Sequence, residues 1–341
     1  MSQKIIVTGG AGFIGSHTVV ELINAGFEPI IIDNFSASER FIPGRVEKIT
    51  GKKIKLYEAD CRNREFISEI FKIEKPTGVI HFAAFKSVGE SVSNPEKYYD
   101  NNIYSLLVML EVMKENNVLN LVFSSSCTVY GEPEVIPVNE KTPLQKASSP
   151  YGETKVICEE KLLAFQKENQ EFRIAILRYF NPIGAHPSGE IGELPLGIPT
   201  NLVPFITQTA AGWREKLIIN GNNYNTIDGT CVRDYIHVVD LSIAHIASLN
   251  WLSKQKNNFS PEIFNLGTGN GNTIIEVIHA FENRNKMKLN YEFGPIRAGD
   301  VEKIYATVKK AQDILNWKCN FTLEDSMEHA WKWQQTLTKP N

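Results

Sequence analysis

The sequence predicts an α/β fold: a Rossmann-type, doubly wound parallel sheet with a smaller C-terminal substrate-binding α/β lobe. Three observations lead there. Short, nearly continuous apolar runs alternate with helical patterns through the first half of the chain; a glycine-rich turn joins the first run to the first helical pattern; and Gly and Pro crowd the chain from about residue 182. Strands buried on both faces read as continuous apolar runs because neither face meets water, and that is the signature of a parallel sheet covered by helices.

The elements follow in order. Lys4-Ile5-Ile6-Val7 reads as the first strand, and residues 12–24 as a helix ended by Gly26, a residue suited to a left-handed cap. Further strands are expected at 29–33, 54–57, 78–81, 120–124 and 173–177, with helices at about 62–74, 95–117 and 151–169. Residues 182–204 have the texture of an elaborated binding lobe. Phe264-Asn265-Leu266-Gly267, with a helical pattern from Thr273, reads as a late return to the sheet. The expected division is a Rossmann-type domain over 1–180 and a mainly substrate-binding lobe over 181–341, with segments near 235–240 and 263–285 returning to the first domain.

Composition excludes several classes. With 36 basic and 39 acidic residues in 341, the net charge of −3 gives no electrostatic case for nucleic acid or an anionic membrane. No apolar run approaches the roughly 20 residues that span a bilayer. Met1-Ser2-Gln3-Lys4 runs straight into a strand without the shape of a signal peptide, so a cytoplasmic location is expected. The five cysteines, Cys61, Cys127, Cys158, Cys231 and Cys319, show no CxxC spacing, and the seven histidines show no metal spacing. Free thiols and no metal are expected.

Thr8-Gly9-Gly10-Ala11-Gly12-Phe13-Ile14-Gly15 lies between the first strand and the first helix. Gly9, Gly12 and Gly15 permit a tight turn and a close approach of backbone to a pyrophosphate, which the helix N-terminus then meets with free N–H groups. Asp33 ends the second strand, where a carboxylate accepts the hydroxyls of an adenosine ribose and repels a 2′-phosphate. NAD is therefore favoured over NADP.

Ser149-Pro150-Tyr151-Gly152-Glu153-Thr154-Lys155 places Tyr151 and Lys155 four residues apart on one helix face. A free phenol titrates near pH 10, so a base at neutrality needs a fall of about 3 pH units, or about 4 kcal/mol. A nearby ammonium and an oxidised nicotinamide in a partly desolvated pocket can supply it. Ser124-Ser125-Ser126 ends the fifth strand, where parallel sheets bind substrates, and Ser126 can hydrogen-bond the oxygen that Tyr151 deprotonates.

Glycine turn, strand-end serine and Tyr-x-x-x-Lys together resemble the extended short-chain dehydrogenase/reductases, over essentially the whole chain. The likeness is closer still to the branch of that family that inverts carbon 4 of nucleotide-linked sugars. Its blocks are His81-Phe82-Ala83-Ala84-Phe85-Lys86-Ser87-Val88-Gly89-Glu90-Ser91-Val92, Tyr98-Tyr99-Asp100-Asn101-Asn102, Leu177-Arg178-Tyr179-Phe180-Asn181-Pro182, Gly184-Ala185-His186-Pro187-Ser188-Gly189 and Val232-Arg233-Asp234-Tyr235-Ile236-His237-Val238. The resemblance implies NAD contacts at Phe13, Ile14, Asp33, Asn34, Phe35, Ser36, Ala37, Ser38, Asp60, Cys61, Phe82, Ala83, Ala84, Phe85, Lys86, Asn101, Ser126, Tyr151, Lys155 and Phe180. It implies contacts to a UDP-hexose at Lys86, Ser126, Tyr151, Asn181, Asn201, Arg233, Tyr235, Arg297 and Asp300, with Ile304 gating the sugar pocket. Arg233 and Arg297 suit a diphosphate, because guanidinium forks match phosphate oxygens. Asp300 suits a ribose diol.

What the resemblance implies for activity is interconversion of UDP-galactose and UDP-glucose through a transient 4-keto sugar, with tightly bound NAD, in galactose metabolism. A homodimer through the helices near 95–117 and 151–169 is implied as well. Isoleucine at 304 is intermediate between the bulky tyrosine that goes with exclusion of N-acetylated sugars and the small residue that goes with their acceptance. A nucleotide-sugar 4,6-dehydratase is disfavoured, since Cys127 and Thr128 follow Ser126 where that chemistry needs an Asp-Glu pair. A ketoreductase that releases its cofactor and a non-catalytic NAD sensor are the other rivals. His81 and His237 read as structural.

Overall fold

Every strand expected in the first half is present in the computed structural model, which describes residues 2–256, 260–297 and 300–339. Strands β1 (Lys4–Thr8), β2 (Glu28–Asp33), β3 (Lys55–Glu58), β4 (Gly78–His81), β5 (Asn120–Ser126) and β6 (Arg173–Tyr179) alternate with helices α1 (Phe13–Asn24), α2 (Ile42–Thr50), α3 (Arg64–Glu74), α4 (Val88–Ser93), α5 (Pro95–Glu115) and α6 (Pro150–Glu168). The second half supplies β7 (Asn181–Ile183), α7 (Leu202–Ala210), β8 (Leu217–Asn220), β9 (Val232–Arg233), β10 (Tyr235–His237) and α8 (Val238–Leu252). It ends with β11 (Glu262–Leu266), β12 (Asn272–Thr273), α9 (Ile274–Asn285), β13 (Tyr291–Gly294), β14 (Lys303–Ile304), α10 (Lys309–Leu315) and α11 (Leu323–Gln334).

The main sheet runs β11-β6-β5-β4-β1-β2-β3, every pair parallel. Alternate residues feed opposite cores, as pleating requires. Ile5, Val7, Ile31, Ile80 and Val122 pack with Val19 and Val20 of α1 and Leu241 and Leu249 of α8. Ile6, Ile30, Ile32, Val79 and Leu121 pack with Ile67 and Phe71 of α3, Leu106 and Met109 of α5 and Leu162 of α6. The expected late return to the sheet is β11, hydrogen-bonded beside β6. A separate core around Val203, Ile206, Leu217, Val277, Phe281 and Met327 builds the second lobe.

Topology places the functional region. From β1 the chain winds outward to β3, then crosses back to β4 and winds the other way. The strand order therefore reverses between β1 and β4, and open α/β sheets bind ligands in the crevice beyond the strand ends at such a reversal. Two short helices, α2 and α4, have no counterpart among the expected elements. The first buries Ile42 and Val46, with Ile49 packed beside them, and the second is a six-residue turn capped by the Ser87 hydroxyl.

Candidate active site

The glycine turn forms one wall. Gly9 has φ +67, and its N–H donates to Ile32 O at 2.8 Å while its carbonyl accepts from Gly12 N at 3.0 Å. Gly12 then opens α1 with no side-chain cap, leaving first-turn N–H groups free for an anion. A Cβ on Gly15 would lie 2.2 Å from Gly9 O, so close packing of helix on turn requires glycine there. Asp33 is buried and ties this wall together. Its Oδ2 accepts from Ala11 N at 2.9 Å, and its Oδ1 accepts from Phe35 N at 2.8 Å and Ser38 Oγ at 3.0 Å. One lone-pair position on Oδ2 stays available to a ribose hydroxyl.

A cleft of about 290 Å³ extends from this turn to α6. Gly9, Gly12, Phe13, Ile14, Gly15, Asp33, Asn34, Ser36, Ala37, Ser38, Asp60, Cys61, Phe82 to Lys86, Asn101, Tyr151 and Lys155 all line it. Phe35, at φ 56, turns the chain at its edge. Ser126 and Phe180 are buried and do not form part of that wall. The Arg62 guanidinium hydrogen-bonds Asp60 and holds its carboxyl below the usual range, while burial pushes the Cys61 thiol up.

Around Tyr151 the chain is tightly organised. Ser149 caps α6 by accepting from Gly152 N at 3.2 Å, and Pro150 occupies the first turn. Burial pushes the Tyr151 phenol up to about 12; a hydrogen bond with the Ser126 hydroxyl pulls it down, and Cys127 beside it pushes it up. The Lys155 ammonium donates to Ser124 O at 2.7 Å and lies 4.9 Å from the centre of the Phe123 ring. Burial lowers it to about 8, with Cys158 and Glu159 working in the opposite direction.

Of the residues expected to meet the substrate, Asn181, Arg233, Tyr235 and Ile304 sit in short paired strands outside the main sheet. Asn181 pairs with Tyr235 between β7 and β10, and Ile304 pairs with Arg233 between β14 and β9. Arg233 Nη2 meets Asp300 Oδ1 at 3.1 Å, and the Arg297 guanidinium lies beside Gly89 in the first turn of α4. Ile304 is buried in a cluster with Val129, Tyr130, Val138 and Phe180. The Asn181 Oδ1 and Thr128 Oγ1 atoms are buried without a hydrogen-bond partner among the described residues. Such atoms cost about 1–3 kcal/mol each until something polar meets them.

Three residues in or beside the cleft lie outside the contacts implied by the sequence. Glu193 accepts from Lys86 Nζ at 2.9 Å and Asn201 Nδ2 at 2.6 Å, so a single carboxylate joins two residues expected to bind ligand. It sits within the Gly/Pro-rich 182–204 segment, where no spacing singles it out. Asn102, beside the expected Asn101, donates to Phe85 O and Thr154 Oγ1 and accepts from Phe85 N, fixing the 82–86 loop against α6. Tyr179 lines the cleft at the end of β6.

Sheet order, glycine turn, strand-end serine and the Tyr151/Lys155 pair define the class: a short-chain dehydrogenase/reductase fold. The family model described as GDP-mannose 4,6 dehydratase matches residues 6–330. The UDP-glucose 4-epimerase of Bacillus subtilis is 46% identical over 334 residues, 98% of this chain and 97% of that protein. A crystal structure of the Bifidobacterium longum UDP-glucose 4-epimerase in complex with NAD+ and UDP aligns with TM-score 0.94 at 43% identity, covering 98% of each chain. That from Stenotrophomonas maltophila, with bound NAD and formylated UDP-arabinopyranose, aligns with TM-score 0.95 at 41% identity, again over 98% of each. The chain belongs to the UDP-glucose 4-epimerase family of extended short-chain dehydrogenase/reductases.

Proposed function

We propose that this chain interconverts UDP-galactose and UDP-glucose by inverting carbon 4, keeping NAD bound throughout. The observation that carries the proposal is the convergence of the glycine turn, Tyr151 and Lys155 on one cleft, with Ser126 against the Tyr151 hydroxyl. Likeness to relatives named as 4-epimerases supports it.

The chain fits the dinucleotide. Gly9, Gly12 and Gly15, with Phe13 and Ile14 opening α1, would hold its pyrophosphate. Asp33 to Ser38, with Asp60 and Cys61, would hold the adenosine half. Phe82 to Lys86, Asn101, Lys155 and Phe180 would hold the nicotinamide half. The crowding at Gly15, which leaves no room for a side chain, fits a backbone cradle for an anion. Bound NAD supplies a hydride acceptor and donor, so that carbon 4 passes through a ketone and can regain hydride on its other face.

The chain's own groups do the rest. Tyr151 Oη takes the proton of the sugar 4-hydroxyl and returns it, and Ser126 steers it. Since burial holds the phenol at about 12, working at pH 7 requires a fall of about 5 pH units, about 7 kcal/mol of stabilisation for the phenolate. Lys155, one turn away, is the cation this chain provides. Asn181, Asn201, Arg233, Tyr235, Arg297 and Asp300 would hold the UDP part, leaving the hexose free to turn over between hydride transfers. The orphaned Asn181 Oδ1 fits a ligand that brings a donor to it.

The family model's description names a dehydratase, but loss of water needs an acid beside the tyrosine. Cys127 and Thr128 follow Ser126, and neither is a carboxylic acid. Division at residues 180/181 into an NAD-binding and a UDP-sugar-binding part belongs to the same reading. So does a homodimer through α5 and α6, where Tyr104 and Leu163 are exposed apolar side chains. A cytoplasmic location fits five unpaired cysteines, and no helix among the described residues is long and apolar enough to cross a membrane. The test is Tyr151→Phe: fold and bound NAD persist while turnover of UDP-galactose falls by at least about a thousandfold. Near-normal turnover by the variant would remove Tyr151 from the mechanism.

A further inference from the structure

Helix α6 presents a third group on the face that carries Tyr151 and Lys155. Glu159 follows Lys155 by four residues, as Lys155 follows Tyr151, so the three stack along one stripe. They meet the three serines that end β5 one by one. The Tyr151 phenol meets Ser126, the Lys155 ammonium donates to Ser124 O at 2.7 Å, and Ser125 Oγ donates to Glu159 Oε1 at 2.5 Å. Glu159 also accepts from Arg178, through Nε at 3.0 Å on Oε1 and through Nη2 at 2.6 Å on Oε2. Arg178 stands on β6 in register with Ser125. Its Nη1 donates to the Tyr130 hydroxyl at 3.1 Å, and that hydroxyl donates to Asn265 Oδ1 at 2.6 Å on β11. Every member of this chain of contacts is buried.

Stability does not account for such a pair. Replacing a buried ion pair by apolar side chains of similar size commonly leaves a fold as stable or more so. An apolar pair would hold α6 on the sheet but could not hydrogen-bond Ser125. It would also remove a carboxylate one helical turn from Lys155. We propose that the Glu159–Arg178 pair is a positioning unit of the active site, fixing Ser124-Ser125-Ser126 at the height where Lys155 and Tyr151 meet them and keeping Lys155 cationic. This rests on the epimerase reading of the same site and adds residues that act through Tyr151, Lys155 and Ser126.

The electrostatics agree. The Lys155 ammonium is lowered by burial, and the groups that oppose the fall are Cys158 and Glu159 on its own helix. From β4 it faces His81, which burial keeps neutral near pKa 3, and from β5 the Phe123 ring and the Ser124 carbonyl. Glu159 faces Arg178 from β6 and Ser125 from β5, and beyond Arg178 lie Tyr130 and then Glu140, which accepts from Asn265 N. Of these, only Glu159 is a carboxyl group one turn from Lys155. Its neutralisation should let the ammonium lose its proton at lower pH.

The test uses the purified holoenzyme with UDP-galactose, measuring kcat, KM, melting temperature and the pH dependence of kcat. Wild-type turnover in the same series checks the underlying reading, and its absence would overturn both. Glu159→Gln is expected to lower kcat at least about tenfold with KM within about twofold, and to move the alkaline limb of kcat down by about one pH unit. Ser125→Ala, which keeps the ion pair, is expected to lower kcat about three- to tenfold with KM within about twofold. The double variant Glu159→Met with Arg178→Met is expected to keep the wild-type melting temperature but not its kcat. Full kcat in that double variant would make the pair merely structural and overturn the proposal, as would unchanged kcat in Ser125→Ala, the variant that decides if the others fail to fold.

Discussion

Replacing Gly15 by alanine probes the contact between helix and turn on which the cleft is built. The new Cβ would stand 2.2 Å from Gly9 O, 2.8 Å from Gly10 Cα and 2.9 Å from Gly9 C, all backbone atoms of the same turn. Relief needs a movement of about 1 Å. Gly9 cannot retreat, because the space behind it is taken: a Cβ placed there would already be 3.0 Å from Ala83 N, and its own N–H is held by Ile32 O. The strain therefore falls on the Gly12–Gly9 hydrogen bond and on the first turn of α1. Overpacking of this kind costs about 1–3 kcal/mol and the lost bond about 1 more. A chain of this length should then melt about 3–6 °C lower. Because the displaced N–H groups are those aimed at the pyrophosphate, NAD retained through purification should fall at least about tenfold. Gly44→Ala is the control. That site lies in α2 with open space around it and should gain about 0.5–1 kcal/mol from helix propensity. Thermal melting and the NAD released on denaturation read both variants. A Gly15→Ala protein with wild-type melting and wild-type NAD content would refute the reasoning.

Two further outcomes are expected. Burial lowers His17 and His81 to about 3, His237 to about 2 and His245 to about 4, against an ordinary 6.5. Groups depressed in the folded state contribute stability that is present above 6.5 and lost as pH falls towards these values. Four of them give a slope of about 5 kcal/mol per pH unit, so melting temperature should drop steeply from pH 6 to pH 5; a flat profile would contradict neutral burial of these rings. Ile304→Ala should raise kcat/KM for UDP-N-acetylgalactosamine relative to UDP-galactose by about tenfold. Its stability cost should be about 2–4 kcal/mol because Ile304 packs on Phe180 and Val138, and an unchanged ratio would place Ile304 outside the sugar pocket.

The parallel sheet was legible because Ile5-Ile6-Val7 and Ile30-Ile31-Ile32 have no polar alternation to hide them. The glycine turn and Tyr151/Lys155 were legible because each depends on local spacing alone. What escaped depends on distance in the chain. Glu193 meets Lys86 across 107 residues and Arg233 meets Asp300 across 67, and neither pairing leaves a period or a motif. Even within the visible motif, spacing places Lys155 on Tyr151's face but does not reveal that its ammonium is engaged with the Ser124 carbonyl. Burial likewise raises Tyr151 above an ordinary phenol, an effect no string of residues displays, and the sequence alone suggested a smaller fall than the folded site demands.

The most direct measurement follows UDP-galactose carrying deuterium at carbon 4, incubated with the purified protein and no added cofactor, by proton NMR. The account requires UDP-glucose to appear with deuterium still on carbon 4, since the same hydride leaves and returns within one closed site. Absence of UDP-glucose, or its formation with protium at carbon 4, would contradict the account.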